Sequence, residues 1–397
     1  MRFVWMLGTA VLLAGLSLMA IGTSVQALDA RGVEFAERSN RLAMAMVRPT
    51  AVGLQASLAY SPGIQAMVDA VSPTLLVHHV CKLQDDNALA YCNALGTRYS
   101  RATAGLGEAA QYLYDQYTTL GLSVTYDAFI HWGVPMTNVV AELPGVGPGD
   151  EHVYIICAHY DSISQNPYDV APGADDNASG SAAVLEAARI LSRHQFAGTL
   201  RFIHFAGEEL SLLGSAHYAE QAFARRDLID GVINLDMIAY ESVPPNDHIV
   251  EIHSGPDDPA SIALADALIQ NVAEYGLLLT PQKITEGATR LSDHASFWNH
   301  GYPAVLGIED FDDFNPHYHS KDDTLANMRT DMMIEFTKAS VATLAELASL
   351  PAAAETPTPT ASPTGTILPT VTATPSRTAT AAHHCYLPVL VRAATGH

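Results

Sequence analysis

The stretch FAGEELSLLGS, Phe205 to Ser215, places Glu208 and Glu209 side by side at the end of an apolar run. Adjacent carboxylates repel one another, and at the mouth of a core that repulsion needs compensation. Four other segments put a residue able to hold a metal just after a strand-like run. They are CAHYDS with His159 and Asp161, the acidic loop of PGADDNASGSAAVLEAARIL, NLDM with Asp236, and NPHYHSKDDT with His317 and His319. Singly, each has an ordinary explanation: a strand-end aspartate caps a helix or turns the chain, and ADDN before a helix reads as an N-cap. Jointly those explanations fail, because imidazoles and carboxylates gathered on one sheet edge repel unless a cation holds them. Imidazole nitrogen with carboxylate oxygen is a zinc donor set. The candidates exceed what one tetrahedral ion takes, which points to two metals sharing a carboxylate, an arrangement used for hydrolysis.

The elements that must position these residues alternate. LGLSVTYDAFI, TNVVAEL, HVYIICAH, TLRFIHFAG, GVINLDMIAY, IVEIHSG and YPAVLGIED read as strands. GEAAQYLYDQYTTL, GSAAVLEAARILSRH, DPASIALADALIQNVAEYG and MMIEFTKASVATLAEL read as helices, and LSLLGSAHYAE is helix-like. Apolar strands alternating with amphipathic helices predict an α/β fold: one globular domain with a central mixed, mostly parallel β-sheet flanked by helices on both faces. Ligands in such sheets gather at the carboxyl ends of the strands, where the five segments stand.

A chain of 397 residues that is 48% hydrophobic can bury a large core. Its 42 acidic against 20 basic residues give a net charge of -22, which argues against a nucleic-acid partner. Arg2, the apolar run from Phe3 and the small residues of Val25-Gln26-Ala27 read as a secretory signal, residues 1–27, with an uncleaved membrane anchor as the competing reading. Cleavage leaves no stable membrane insertion and a secreted, extracellular protein. Residues 28–60 form an N-terminal extension or pro-segment, 61–350 the catalytic domain, 351–382 a Thr/Pro-rich linker and 383–397 a short tail. Within the tail, YLPVLV reads either as a surface-attachment element, giving cell-surface association, or as a docking edge strand. In an oxidising compartment Cys81 and Cys92 are the natural disulfide pair, Cys157 reads as a core thiol, and Cys385 has no evident partner.

AHYDS, GADDNASGSAAV, FAGEELSLLGS, LDM, SDHASFWNHGYPA and NPHYHSKDDT stand in the order found in the secreted M28-type zinc aminopeptidases, and the chain resembles that family over roughly residues 61–350. The resemblance implies the zinc exopeptidase fold and two Zn2+ per chain. By its motifs His159 is a ligand and Asp161 its ring-orienting partner. Counting back from Ser179, the bridging aspartate is Asp176, followed by a peptide bond often cis in the family. The second glutamate, Glu209, is a ligand and the first, Glu208, the general base; Asp236 and His319 complete the shells. One zinc would take His159 with Glu209 or Asp236, and the other His319 with the remaining carboxylate. Tyr318 is an expected oxyanion donor, and SDHASFW is expected to line the substrate site, with Asp293 and His294 either binding substrate or serving as structural hydrogen-bonders. His204, His217 and His317 are read as non-ligands, and the sequon Asn177-Ala178-Ser179 as an accident of the metal loop.

The expected substrates are peptide or protein N-termini with an apolar first residue. A carboxypeptidase or dipeptidase is the rival within the family, with Arg290 as a cation able to take a substrate carboxylate. A single-zinc transferase resembling glutaminyl cyclase and an inactive binding ectodomain are the further rivals.

Overall fold

The computed structural model describes residues 60–84, 97–147, 149–242 and 247–348. The signal, almost all of the extension, Cys92, the linker and the tail with Cys385 lie outside the described residues, so the readings placed on them stay expectations. Among the described residues no helix is long and apolar enough to cross a membrane.

Three helices begin where a small polar residue precedes proline: α1 (Pro62–Asp69) after Ser61, α2 (Pro73–Leu83) after Ser72, and α6 (Pro259–Glu274) after Asp258. The capping side chain accepts from a first-turn N–H, and proline's fixed φ suits the first helical position. The first two were not expected from sequence, although the Ser-Pro pairs announce them. The other helices are α3 (Thr103–Thr119), α4 (Gly180–Leu191), α5 (Leu213–Arg225), α7 (His294–Asn299) and α8 (Thr330–Leu347).

The strands are β1 (Ser123–His131), β2 (Val134–Leu143), β3 (His152–His159), β4 (Thr199–Phe205), β5 (Leu228–Leu235), β6 (Ile249–Ser254), β7 (Thr280–Ile284) and β8 (Ala304–Glu309). They form one mixed sheet in the order β1-β2-β4-β3-β5-β8-β6-β7. The central run β4-β3-β5-β8 is parallel, and its strands are the near-continuous apolar segments. Such segments belong in a sheet covered on both faces. Alternate residues of β3 divide accordingly: Ile156 and Ala158 join the core beneath α3, α4, α6 and α8, while Val153, Ile155 and Cys157 pack with α5 and α7. Strand β7, TPQKI, escaped the sequence reading because it lacks apolar alternation and contains Pro281. It is an edge strand pairing only with β6, the one setting where a strand tolerates proline.

Register sets up the site. His159 lies beside Phe205, Cys157 beside Asn234, and Leu235 beside Gly307, so β3, β4, β5 and β8 end at a common edge. The GVINLDMIAY run therefore stops as a strand at Leu235, and Asp236 stands just past its end.

Candidate metal centre

Each acidic or imidazole group at this edge is delivered by a different local device. His159 is the last residue of β3. Glu208 and Glu209 open a tight helical turn (Glu208–Leu210) entered through Gly207 at φ 73. Asp176 lies in the irregular turn Ala174–Ser179 leading into α4, and the Asp176–Asn177 peptide is cis. His319 comes from the long loop after β8 and has φ 52.

The carboxylate of Asp176 is divided between two imidazoles. Its Oδ1 lies 3.2 Å from His159 Nε2 and its Oδ2 lies 3.3 Å from His319 Nε2. Asp236 Oδ1 lies 3.2 Å from His159 Nε2, and Glu209 Oε2 lies 3.0 Å from His319 Nε2. Two triads result, His159–Asp176–Asp236 and Asp176–Glu209–His319, with Asp176 common to both. In this arrangement Asp236 stands with His159, and Glu209 with His319. Glu208 belongs to neither triad; its Oε2 is 4.0 Å from His159 Nε2. His159, Glu208 and Glu209 also lie close enough to form a third, overlapping group.

The residues fit a pair of divalent ions. Two ligand atoms at zinc bond lengths and tetrahedral angles are separated by about 3.3 Å, which matches the spacings within each triad. Glu209 Oε1 is buried without a hydrogen-bond partner, as a ligand oxygen is before coordination. Burial pushes Glu209 up to about 8, with Asp176 adding to the rise and His319 opposing it. Burial and the charges of Asp236 and Glu209 likewise push Glu208 well above the usual carboxylate range, against the pull of His159. His319 rises to about 10, because hydrogen bonds to Asp176 and Glu209 outweigh the burial that would lower it. So many charges in a dry site are a setting made for cations.

The supports around the ligands were only partly legible in sequence. Asp161 is the expected partner of His159: its backbone oxygen is 3.2 Å and its Oδ1 3.4 Å from Nδ1. Asp323, within the quoted KDDT, was missed; it accepts the backbone N–H groups of Asp175 and Asp176 at 2.9 and 3.0 Å and so holds the turn. Ser292 was missed too, and donates to Asp236 Oδ2 at 2.6 Å, leaving Oδ1 for the triad.

A cleft of about 90 Å³ opens over the centre. Asp176, Glu208, Asp236 and His319 line one end, and Met237, Leu306, Ile308, Phe311 and Phe314 make an apolar wall. Tyr318 lines it as well, its ring stacked on His319 at 3.6 Å and edge-on to Phe314. Asp293 and His294 stand behind the cleft, in the setting of structural hydrogen-bonders. Both are fully buried and neither lines the cleft; His294 Nε2 instead bonds Thr289 O. The same segment reaches the cleft through Thr289, Leu291 and Ser292, since α7 starts at His294 and turns the following side chains into the core. Arg290 also points elsewhere, lying over Trp298 and donating to Asn299 Oδ1. His204 is buried against Tyr117, and His217 pairs with Asp127 on the surface side of α5, so neither approaches the centre. Asn177 of the sequon is fully buried, its amide spent on Leu235 O. Cys157 is a buried free thiol; Cys81 is buried on α2, and its expected pairing with Cys92 falls outside the described residues.

Fold and donor geometry together fit an α/β metallohydrolase. The family model described as Peptidase family M28 matches residues 138–344, and the chain belongs to that family. Among its relatives, a probable leucine aminopeptidase of Trichophyton verrucosum is 30% identical, covering 80% of this chain and 85% of the relative. Among solved structures, a zinc aminopeptidase from Bacillus subtilis is similar with a TM-score of 0.58 at 15% identity, covering 70% of this chain and 95% of that one. A glutaminyl cyclase from Macrostomum lignano is similar with a TM-score of 0.60 at 19% identity, covering 77% and 100% respectively. At those identities the two structures speak for the shared fold.

Proposed function

We propose that this chain is a secreted aminopeptidase that removes N-terminal, preferentially apolar residues from peptides, with two zinc ions per chain and Glu208 as general base. The observation that carries the reading is the cleft. Its wall is apolar and suits an apolar first side chain, and no Lys or Arg is among its lining residues to take a substrate carboxylate. The leucine aminopeptidase relatives support the same activity, and the N-terminal signal-like segment supports secretion.

His159 and Asp236 would hold one zinc and Glu209 and His319 the other, with Asp176 shared between them. When bound, the zinc pair supplies positive charge that makes a water more acidic and polarises the scissile carbonyl. Glu208, outside both triads yet 4.0 Å from His159 Nε2, takes the proton of the attacking water and delivers it to the leaving amine. Tyr318, whose hydroxyl is held in its protonated form by burial and the surrounding carboxylates, donates toward the developing oxyanion. The apolar wall excludes water and receives the first side chain.

The test compares hydrolysis of leucine p-nitroanilide with that of an N-blocked dipeptide, with and without chelator. Chelator-sensitive cleavage of the free-amine substrate is expected, and cleavage of the blocked substrate alone overturns the reading. Because a glutaminyl cyclase shares this fold, zinc analysis accompanies the assay: one tightly held zinc per chain favours a cyclase-like transferase.

A further inference from the structure

Two side chains from the segment that precedes the family-matched region reach beneath the metal centre. Arg98 is fully buried, and its guanidinium donates to Tyr160 O at 2.7 Å, Pro172 O at 2.9 Å and Gly173 O at 2.8 Å, as well as to Leu83 O. Tyr160 follows His159, and Pro172 and Gly173 lead into the turn that carries Asp176. One rigid fork thus ties the peptide after one ligand to the chain before another, which a flexible ammonium would not do. The contact leaves no room: a Cβ on Gly173 would lie 2.8 Å from Arg98 Nη2 and 2.4 Å from Asp176 O, at φ +54.

Ser100, also buried, donates from Oγ to Asp161 Oδ2 at 2.7 Å. The other oxygen of Asp161 accepts the backbone N–H of Glu208 at 3.2 Å and stands 3.4 Å from His159 Nδ1. A metal-binding imidazole and the start of the turn bearing the base therefore lean on one carboxylate, whose free oxygen Ser100 holds.

We infer that Arg98 and Ser100 are positioning residues for the metal centre, a brace from the upstream segment that sets the orientation of His159 and of the Glu208 turn. The inference rests on the di-zinc reading. Outer hydrogen bonds of this kind commonly change metal affinity by about 10–100-fold. Arg98 acts on the two loops, and Ser100 acts through Asp161; neither touches substrate.

The experiment measures both zinc affinities of the full chain by competition with a chromophoric chelator, the His159 site being assigned with Asp236→Asn. Ser100→Ala should weaken that site by about 10–100-fold while leaving the His319 site within about threefold. Ser100→Thr should restore it, and the metal-free unfolding midpoint of Ser100→Ala should match wild type. Arg98→Lys should weaken both sites, because the Arg98 fork also holds the turn bearing the shared Asp176. Wild-type affinities in Ser100→Ala, or an equal loss at both sites with a lowered metal-free midpoint, overturn the brace. Should Ser100→Ala fail to fold, Ser100→Cys, of similar size with a weaker donor, is measured instead, and wild-type affinities there overturn it equally. Failure of the di-zinc reading shows separately, as a wild-type chain that binds fewer than two zinc ions.

Discussion

Glu208 and Glu209 are adjacent in sequence yet serve different neighbours: Glu209 Oε2 lies 3.0 Å from His319 Nε2, while Glu208 Oε2 lies 4.0 Å from His159 Nε2. Both sit in a tight helical turn, where consecutive side chains point about 120° apart, so one carboxylate enters a triad and the other stays outside. Replacing Glu208 by Ala should leave two zinc ions bound and lower kcat by about a thousandfold. Metal analysis beside steady-state kinetics checks this, and a fully active variant removes Glu208 from the proton-transfer role.

The divided carboxylate of Asp176 makes the two halves of the centre separable. Asp236→Asn should lower zinc affinity in the His159 triad, Glu209→Gln in the His319 triad, and Asp176→Ala in both. Stoichiometry against free zinc reads each outcome. Equal loss at both sites in Glu209→Gln would contradict the division.

The cleft wall sets a preference among first residues. Phe314 meets Phe311 and Tyr318 edge-on at 5.7 and 5.1 Å, so Phe314→Ala both widens the wall and loosens the tyrosine. Rates over a panel of aminoacyl p-nitroanilides should fall for leucine by about tenfold or more, and the ratio of aromatic to leucine substrates should rise. An unchanged ratio would place the first side chain elsewhere.

Acid stability follows from two buried histidines away from the centre. Burial lowers His204 to about 3 and, with His78 and Arg189 nearby, His79 to about 4. Their folded values lie below the unfolded value near 6.5, so between those limits the unfolded chain binds more protons. The stabilisation is complete above about pH 6.5 and is lost as the pH falls toward 4 and then 3. Each histidine contributes up to about 1.4 kcal/mol per pH unit within that window. Denaturant unfolding from pH 7 to 4.5 measures the slope, and His204→Gln should reduce it by close to one proton; an unaltered slope counts against His204 as the titrating group.

Much of the arrangement is legible in the sequence. His159, Asp176, Glu208, Glu209, Asp236 and His319 follow strands or open a helix, and the geometry brings all six together. Elements without a periodic apolar signal were missed: β7 with its proline, the short α7, and the Ser-Pro-initiated α1 and α2. Sequence leaves Asp293 and His294 open between substrate and structural roles because polar residues beside a cleft segment look alike, and the start of α7 decides which side chains turn inward.

The sequence by itself determined the donor inventory and the fold class, because residue type dictates what an atom can bind and apolar periodicity dictates which segments are strands. Tertiary structure decided which carboxylate stands with which imidazole. That choice depends on the parallel register of β3, β4 and β5 and on loops of different length returning to one edge, and neither is a local property of the chain. It likewise decided that Arg98 and Ser100, with no motif to mark them, lie under the centre: a buried hydrogen bond is specified by where two distant segments meet.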